Sequence, residues 1–331
     1  EGWVGLPGIS YSPDQGLSLS ATVLRYFRAM GSERPSQLRV IGKVSLRGYG
    51  SLDIDPDFWL FEDKLNLAIT SKLSNIERRF FGIGNYSKLE DEELYRATRL
   101  DFRTELAHRL PRDFFIAAIY DFRYQRVTEA PGGGAIRRGL VEGTGTTYLS
   151  ALGVELRLDS RDNTFYPTRG IRMESSPRFY LKGLGSTHQL MRWFTDFSVY
   201  LPLGGKHVLG FDSRLDVRFG DIPFDFYSET GGKRIMRGLL QGRYRDKHHA
   251  AAQVEYRFPI YWRVGGVAFV GAGRVAESLG DFVSDGPVAF RGSVGGGLRF
   301  ALRPEEGINL RFDAALADGE HAFYLNLLEA F

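Results

Sequence analysis

Polar and apolar residues alternate with a period of two along nearly the whole chain. Gln253, Glu255 and Arg257 oppose Ala252, Val254, Tyr256 and Phe258, and Asp212, Arg214, Asp216 and Arg218 oppose Leu209, Phe211, Leu215, Val217 and Phe219. Arg99, Asp101, Arg103 and Glu105 likewise share one face opposite Leu100, Phe102 and Leu106. Strict alternation marks strands with two unlike faces. Such segments recur to the end of the chain, separated by polar, Gly- or Pro-bearing connections, and predict about sixteen strands. Two near the N-terminus are the weakest. Gly5 to Ser10 is glycine-rich, and Ser51 to Leu60 contains Pro56, which cannot donate to a ladder. No stretch carries a helical period and no linker divides the chain, so residues 1–331 are read as one domain.

The connections separate a soluble sandwich from a membrane barrel. Short ones (Leu110 to Asp113, Leu203 to Lys206, Ile260 to Arg263) alternate with long ones (Arg78 to Glu93, Thr128 to Gly145, Asp221 to His249). Short turns at one end and long loops at the other are the pattern of an outer-membrane barrel, with apolar side chains toward lipid and charged ones toward the lumen. Trp3, Trp193, Tyr200, Tyr261 and Trp262 lie near predicted strand ends, where an interfacial girdle belongs. The fold predicted is therefore all-β: a transmembrane antiparallel up-and-down β-barrel. No apolar run reaches the ~18 residues of a membrane helix, which barrels do not need.

Composition agrees. The 331 residues include 40 Gly, 25 Phe and 16 Tyr, which favour strands and tight turns. There is no cysteine, which excludes disulfides, thiolate catalysis and thiolate metal sites. The net charge of +3, from 43 basic and 40 acidic residues, gives no sign of nucleic-acid binding. His248 and His249 are adjacent and would point to opposite faces of a strand, so no metal site is expected. Ser293 lacks the Gly-x-Ser-x-Gly setting of a nucleophile. The glycines at 132–134 and in Gly143-Thr144-Gly145 have no strand–turn–helix frame for a phosphate. The chain is therefore expected to work without catalysis or cofactor.

Three motifs in order carry a family resemblance. Arg234-Ile235-Met236-Arg237-Gly238-Leu239 resembles the Val-Arg-Gly-aromatic loop of the BamA/TamA superfamily of outer-membrane assembly and translocation barrels, also called bacterial surface antigen proteins. The turn from Asp159-Ser160-Arg161-Asp162 to Pro167-Thr168-Arg169-Gly170 resembles that family's turn before the ninth strand. Glu255 to Pro259 with Phe269 to Gly273 resembles its twelfth and thirteenth strands. Phe80 to Asn85 is similar to a loop of members that lack periplasmic domains. The match is strong from Thr146 to Phe331.

The resemblance implies that the long loop between strands 11 and 12 folds into the lumen. Arg237 would then seek a carboxylate, with Glu255 nominated and Arg257 beside it. Met236 and Leu239 depart from the family's Val and aromatic. Gly271 stands where an Asp often pairs with the loop arginine, and Asp212 or Asp216 is the expected substitute. Asp159, Asp162, Pro167 and Gly170 are read as turn-formers. The last segment, Ala322 to Phe331, places Phe323, Leu325, Leu327 and Phe331 on one face and resembles an outer-membrane sorting signal, although it lacks the glycine that kinks this strand in some members. No periplasmic POTRA domain precedes residue 1, so the chain is expected to be a minimal member or a barrel cut from a longer protein.

The implied function is insertion or translocation of polypeptides, or lipid, at the outer membrane of a Gram-negative bacterium or an organelle derived from one. It would use a seam between the first and last strands, weakened by Gly5, Pro7 and Gly8. The implied partners are outer-membrane lipid, client outer-membrane proteins and a periplasmic partner, with no nucleic acid. A passive channel or structural barrel is the alternative, and an outer-membrane hydrolase is a third reading without a supporting constellation.

Overall fold

The computed structural model describes residues 2–13, 15–28, 31–32, 34–284 and 290–331. Strands fill most of it. The first half contributes β1 (Gly2–Ser12), β2 (Gly16–Phe27), β3 (Ser36–Ser45), β4 (Gly50–Leu60), β5 (Leu65–Phe80), β6 (Glu93–Leu110), β7 (Phe114–Glu129) and β8 (Thr146–Asp159). The second contributes β9 (Gly170–Tyr180), β10 (Leu190–Gly204) and β11 (His207–Gly220), then a small ribbon of β12 (Ser228–Thr230) and β13 (Tyr244–Asp246). It ends with β14 (His248–Tyr261), β15 (Val264–Ala276), β16 (Arg291–Arg303), β17 (Ile308–Ala317) and β18 (Glu320–Leu327). All but β12 and β13 join, each antiparallel to its sequence neighbour, into one closed barrel of sixteen strands.

The polarity of this cylinder is inverted relative to a soluble domain. Leu152, Val270, Val294 and Leu316 are each more than half exposed on the outer surface. Arg99, Glu155, Asp196, Asp212, Glu255 and Arg299 are buried inside. An apolar belt of this extent is unstable in water and suits hydrocarbon. No helix is long and apolar enough to cross a membrane, and the strands need none. The outward position of Leu152 yields a first prediction. Leu152→Arg near mid-strand is expected to cost about 2–4 kcal/mol of folding stability in lipid, measured by urea titration. An unchanged midpoint would place that side chain away from hydrocarbon.

Three details differ from the sequence reading. The strand bearing Pro56 does form, but its registered pairing with β5 skips Asp55 and Pro56, because proline brings no N–H. Tyr200 is not part of a girdle. It is buried in the lumen, whereas Tyr261 and Trp262 are 81% and 75% exposed. The last strand stops at Leu327, and Phe331 lies inside the barrel instead of on its lipid face.

Candidate functional site

The segment 221–247 links β11 to β14 and turns inward. Phe224 packs edge-on against Phe80 and Tyr95, and Asp225 accepts a 3.1 Å hydrogen bond from Arg99 on β6. Beyond the β12–β13 ribbon, Gly231 and Gly232 adopt φ of +100° and +107°, which reverse the chain at little steric cost. Gly232 N–H then donates to Leu239 O at 3.1 Å and closes the tip. Ile235, Met236 and Leu239 fill a small apolar cluster with Ala251, Val275 and Ala317.

Arg237 stands at the centre of that tip and is fully buried. Its guanidinium donates at 2.6 Å to Glu255 Oε2 on β14 and at 2.7 Å to Asp313 Oδ2 on β17. The guanidinium carbon lies 3.4 Å from the centroid of the Phe269 ring on β15. The Arg237 carbonyl accepts from Ser293 Oγ on β16, and Gly238 N–H donates to Tyr324 OH on β18 at 3.2 Å. One residue and its neighbour thus touch five consecutive strands. Each carboxylate is shared: Arg257 binds Glu255 at 2.8 Å, and Arg299 binds Asp313 at 2.6 Å. Charge-assisted bonds of this geometry fix position strongly in a buried site. Gly238 has φ of +111°, and an added Cβ would meet the Ala317 backbone N at 2.9 Å. Gly238→Ala is therefore expected to strain or undock the tip, at a cost on the order of 1–3 kcal/mol. Faster proteolysis within 231–247 would report it, and wild-type resistance would count against it.

The second part of the site is the junction between the first and last strands. β1 pairs with β2 along its full length, from Gly2 to Ser12. Toward β18 it has one registered pair among the described residues, Tyr11 with Leu325. Leu328 adopts φ of +67°, which ends β18 and turns the remaining residues into the lumen. There Arg299 binds Glu329 at 2.7 Å, Asn309 binds it at 3.1 Å, and the Phe331 ring stacks on Tyr200 at 6.0 Å. Arg257 holds Phe331 O and also Pro167 O of the turn before β9. The edge of β1 from Gly2 to Ser10 is left without a registered neighbour on that side among the described residues. An unpaired edge is a template for another strand.

The sequence profile of the Omp85 superfamily domain matches residues 41–322. The chain belongs to the Omp85 superfamily. This agrees with the resemblance drawn from its motifs and makes it a β-barrel of the Gram-negative outer membrane. BamA from Haemophilus ducreyi lacking POTRA domains 1–3 superposes with a TM-score of 0.71 at 15% identity, covering 98% of this chain and 70% of that one. CdiB from Escherichia coli gives 0.65 at 12% identity, covering 99% and 63%. CdiB from Acinetobacter baumannii gives 0.59 at 10% identity, covering 98% and 59%. The chain thus spans about three-fifths of each CdiB. At these identities the likeness is one of fold. No curated protein matches the sequence.

Within this Omp85 barrel, the residues singled out from sequence fall into different roles. Arg237 and Glu255 meet. Asp212 pairs with Arg234 of the loop at 3.1 Å, alongside Asp196 at 2.7 Å, and does not reach Arg237. Asp216 makes no side-chain bond to the loop, because Arg192 and Arg218 occupy both its oxygens. Its carbonyl alone receives the loop's Ser228 Oγ. Among the described residues Arg257 bonds to Glu255, the Pro167 turn and the tail, and lies over the Tyr200 ring on β10, none of them in the loop. Gly271 has no carboxylate, and the second anchor of Arg237 is Asp313, two strands further on. Asp162 accepts from the Thr168 and Arg169 N–H groups, and Asp159 binds Arg161. An added Cβ at Gly170, with φ of +106°, would collide with Ser160 O. Phe323 and Leu327 face outward.

Sequence reasoning missed Asp313, Asp196, Glu329 and Tyr324. Asp313 gives a weak signal, sitting on the polar face of an alternating segment beside Arg311. Among the described residues one set could hold a metal: Glu142, His188 and Asp221, with ligand atoms within 4.8 Å of one another. These lie on three loops at the long-loop end. The Glu142 carboxyl is held above its usual value by its hydrogen bond to Asp221 and the charge of that neighbour.

Proposed function

We propose that this barrel assists the entry of polypeptide strands into, or across, the outer membrane by pairing them transiently with the free edge of β1. The observation that carries the reading is the seam, closed among the described residues by one registered pair beside a first strand containing Gly5, Pro7 and Gly8. Backbone N–H and C=O groups left unpaired beside lipid are costly, and an incoming strand satisfies them by main-chain hydrogen bonds alone. The docked loop fits this role. It braces β14 to β18, so the wall beside the seam stays in shape while the seam itself yields. The process needs no cofactor and no catalytic residue, and the lumen-filling loop favours this reading over a passive channel. The test is client folding into vesicles containing the barrel. Faster insertion of a second, unfolded barrel protein than into empty vesicles supports the reading. Unchanged insertion together with a large, steady conductance would replace it with the channel.

A further inference from the structure

The lumen is lined unevenly. The wall of β6 to β11 is filled by arginines paired with carboxylates, among them Arg99 with Asp225, Arg123 with Asp101, and Arg192 with Asp216. Behind the seam the wall is made of small residues instead. Gly8, Ser10 and Ser12 of β1, Ser20 and Thr22 of β2 and Ser51 of β4 border a cavity of about 520 Å³. Asn326 and Leu327 of β18 line it too, so it abuts the seam from within.

Three lysines enter this cavity: Lys43 from β3, Lys72 from β5 and Lys233 from the loop. Lys72 pairs with Asp53 at 3.0 Å. Lys43 and Lys233 form no ion pair among the described residues. Their ammonium groups donate to the amide oxygens of Gln15, at 2.5 Å, and Asn326, at 3.4 Å, and that of Lys43 also lies over the Tyr49 ring. The one carboxylate among the residues lining the cavity, Asp53, is paired with Lys72 and lies near Lys43, so three ammonium groups face one carboxylate there and two positive charges are left over. Lys233, which belongs to the loop and not to a spanning strand, is pulled down to about 8 by burial and by the neighbouring Lys43, Arg311 and Lys72. An anion in the cavity would relieve that crowding.

We infer that this cavity receives an acidic side chain carried on the inward face of the incoming strand. The inference rests on the seam reading above. A strand paired with β1 alternates its side chains as β1 does, so residues opposite Gly8 and Ser10 point into the cavity. Gly8 and Ser10 are too small to fill that space themselves. Membrane strands carry their polar residues on this face, so a carboxylate there is compatible with an apolar outward face.

The test uses the full chain in nanodiscs at low salt and two labelled twelve-residue strand peptides. The peptides are identical and alternating, except for Glu or Gln at one inward position, and binding is followed by fluorescence anisotropy. Hydrogen bonds to charged groups predict about tenfold tighter binding of the Glu peptide. That preference is expected to shrink severalfold in Lys43→Gln and in Lys233→Gln. These substitutions lie on different elements, so misfolding of one leaves the other informative. Equal binding of both peptides to the wild type would overturn the inference while leaving the seam reading intact. Binding of neither would overturn both. If lipid A phosphates raise the melting temperature of the wild type but not of the lysine variants, and the Glu peptide does not, the occupant is a lipid headgroup and the inference fails.

Discussion

Arg237→Ala is expected to lower the stability of the folded barrel by about 3–5 kcal/mol, the cost of removing one partner from a buried ion pair. Glu255 and Asp313 each retain another guanidinium, from Arg257 and Arg299, so the lower end of that range applies. The loss also reaches further than two ion pairs, because the loop tip loses its contact with Phe269 and the register that brings Ser293 and Tyr324 to its backbone. Arg237→Lys should recover only part of the loss, since an ammonium has a single nitrogen and lacks the planar fork whose Nη1 and Nη2 reach the two carboxylates separately. Urea unfolding in detergent, read by the heat-dependent shift of the folded band on electrophoresis, measures both variants. A wild-type midpoint for Arg237→Ala would mean that the tip is held by its apolar cluster alone.

Locking the seam is expected to have the largest effect on activity. Tyr11 and Leu325 are registered partners across it. Directly opposed residues in antiparallel strands have Cα atoms roughly 4.5–5.5 Å apart, within the span of a disulfide. The chain has no cysteine, so Tyr11→Cys with Leu325→Cys forms one defined cross-link. The oxidised barrel should remain folded and as heat-resistant as the parent, yet lose client insertion by about tenfold or more, the factor that 1.4 kcal/mol of blocked pairing would give. A reductant should restore it. Full activity in the oxidised state would show that the edge from Gly2 to Ser10 works without opening of the Tyr11–Leu325 pair.

The wall was legible because a barrel in lipid enforces one rule at every residue. Leu209 to Phe219 shows it: Leu215 and Phe219 are exposed on the outer surface, while Asp212 and Asp216 are buried inside, although Val217 on the apolar face is covered as well. The alternating short and long connections then gave the closure. Parity was also the better guide to Tyr200, since its neighbours Phe197 and Val199 occupy the opposite, outward face. Reading Tyr200 as a girdle residue overrode a correct local signal. The inner partners were less accessible. Asp313 meets Arg237 across 76 residues, and only the circular order of the strands decides which inward carboxylate lies under the loop. Asp216 resembled a loop partner, but its neighbours Arg192 and Arg218 on the wall are closer claimants. The inward course of Phe331 had no sequence marker, because the residue that turns the chain is Leu328 and not a glycine.

The free edge of β1 is the point on which the account stands, and amide hydrogen exchange in nanodiscs tests it most directly. Amides of Gly2 to Ser10 that point away from β2 should exchange within minutes, while those within β6 and β7, paired on both sides, should stay protected for hours or longer. Slow exchange along β1, equal to that of β6 and β7, would mean that the cylinder is sealed along its whole height, and the proposed route for an incoming strand would not exist.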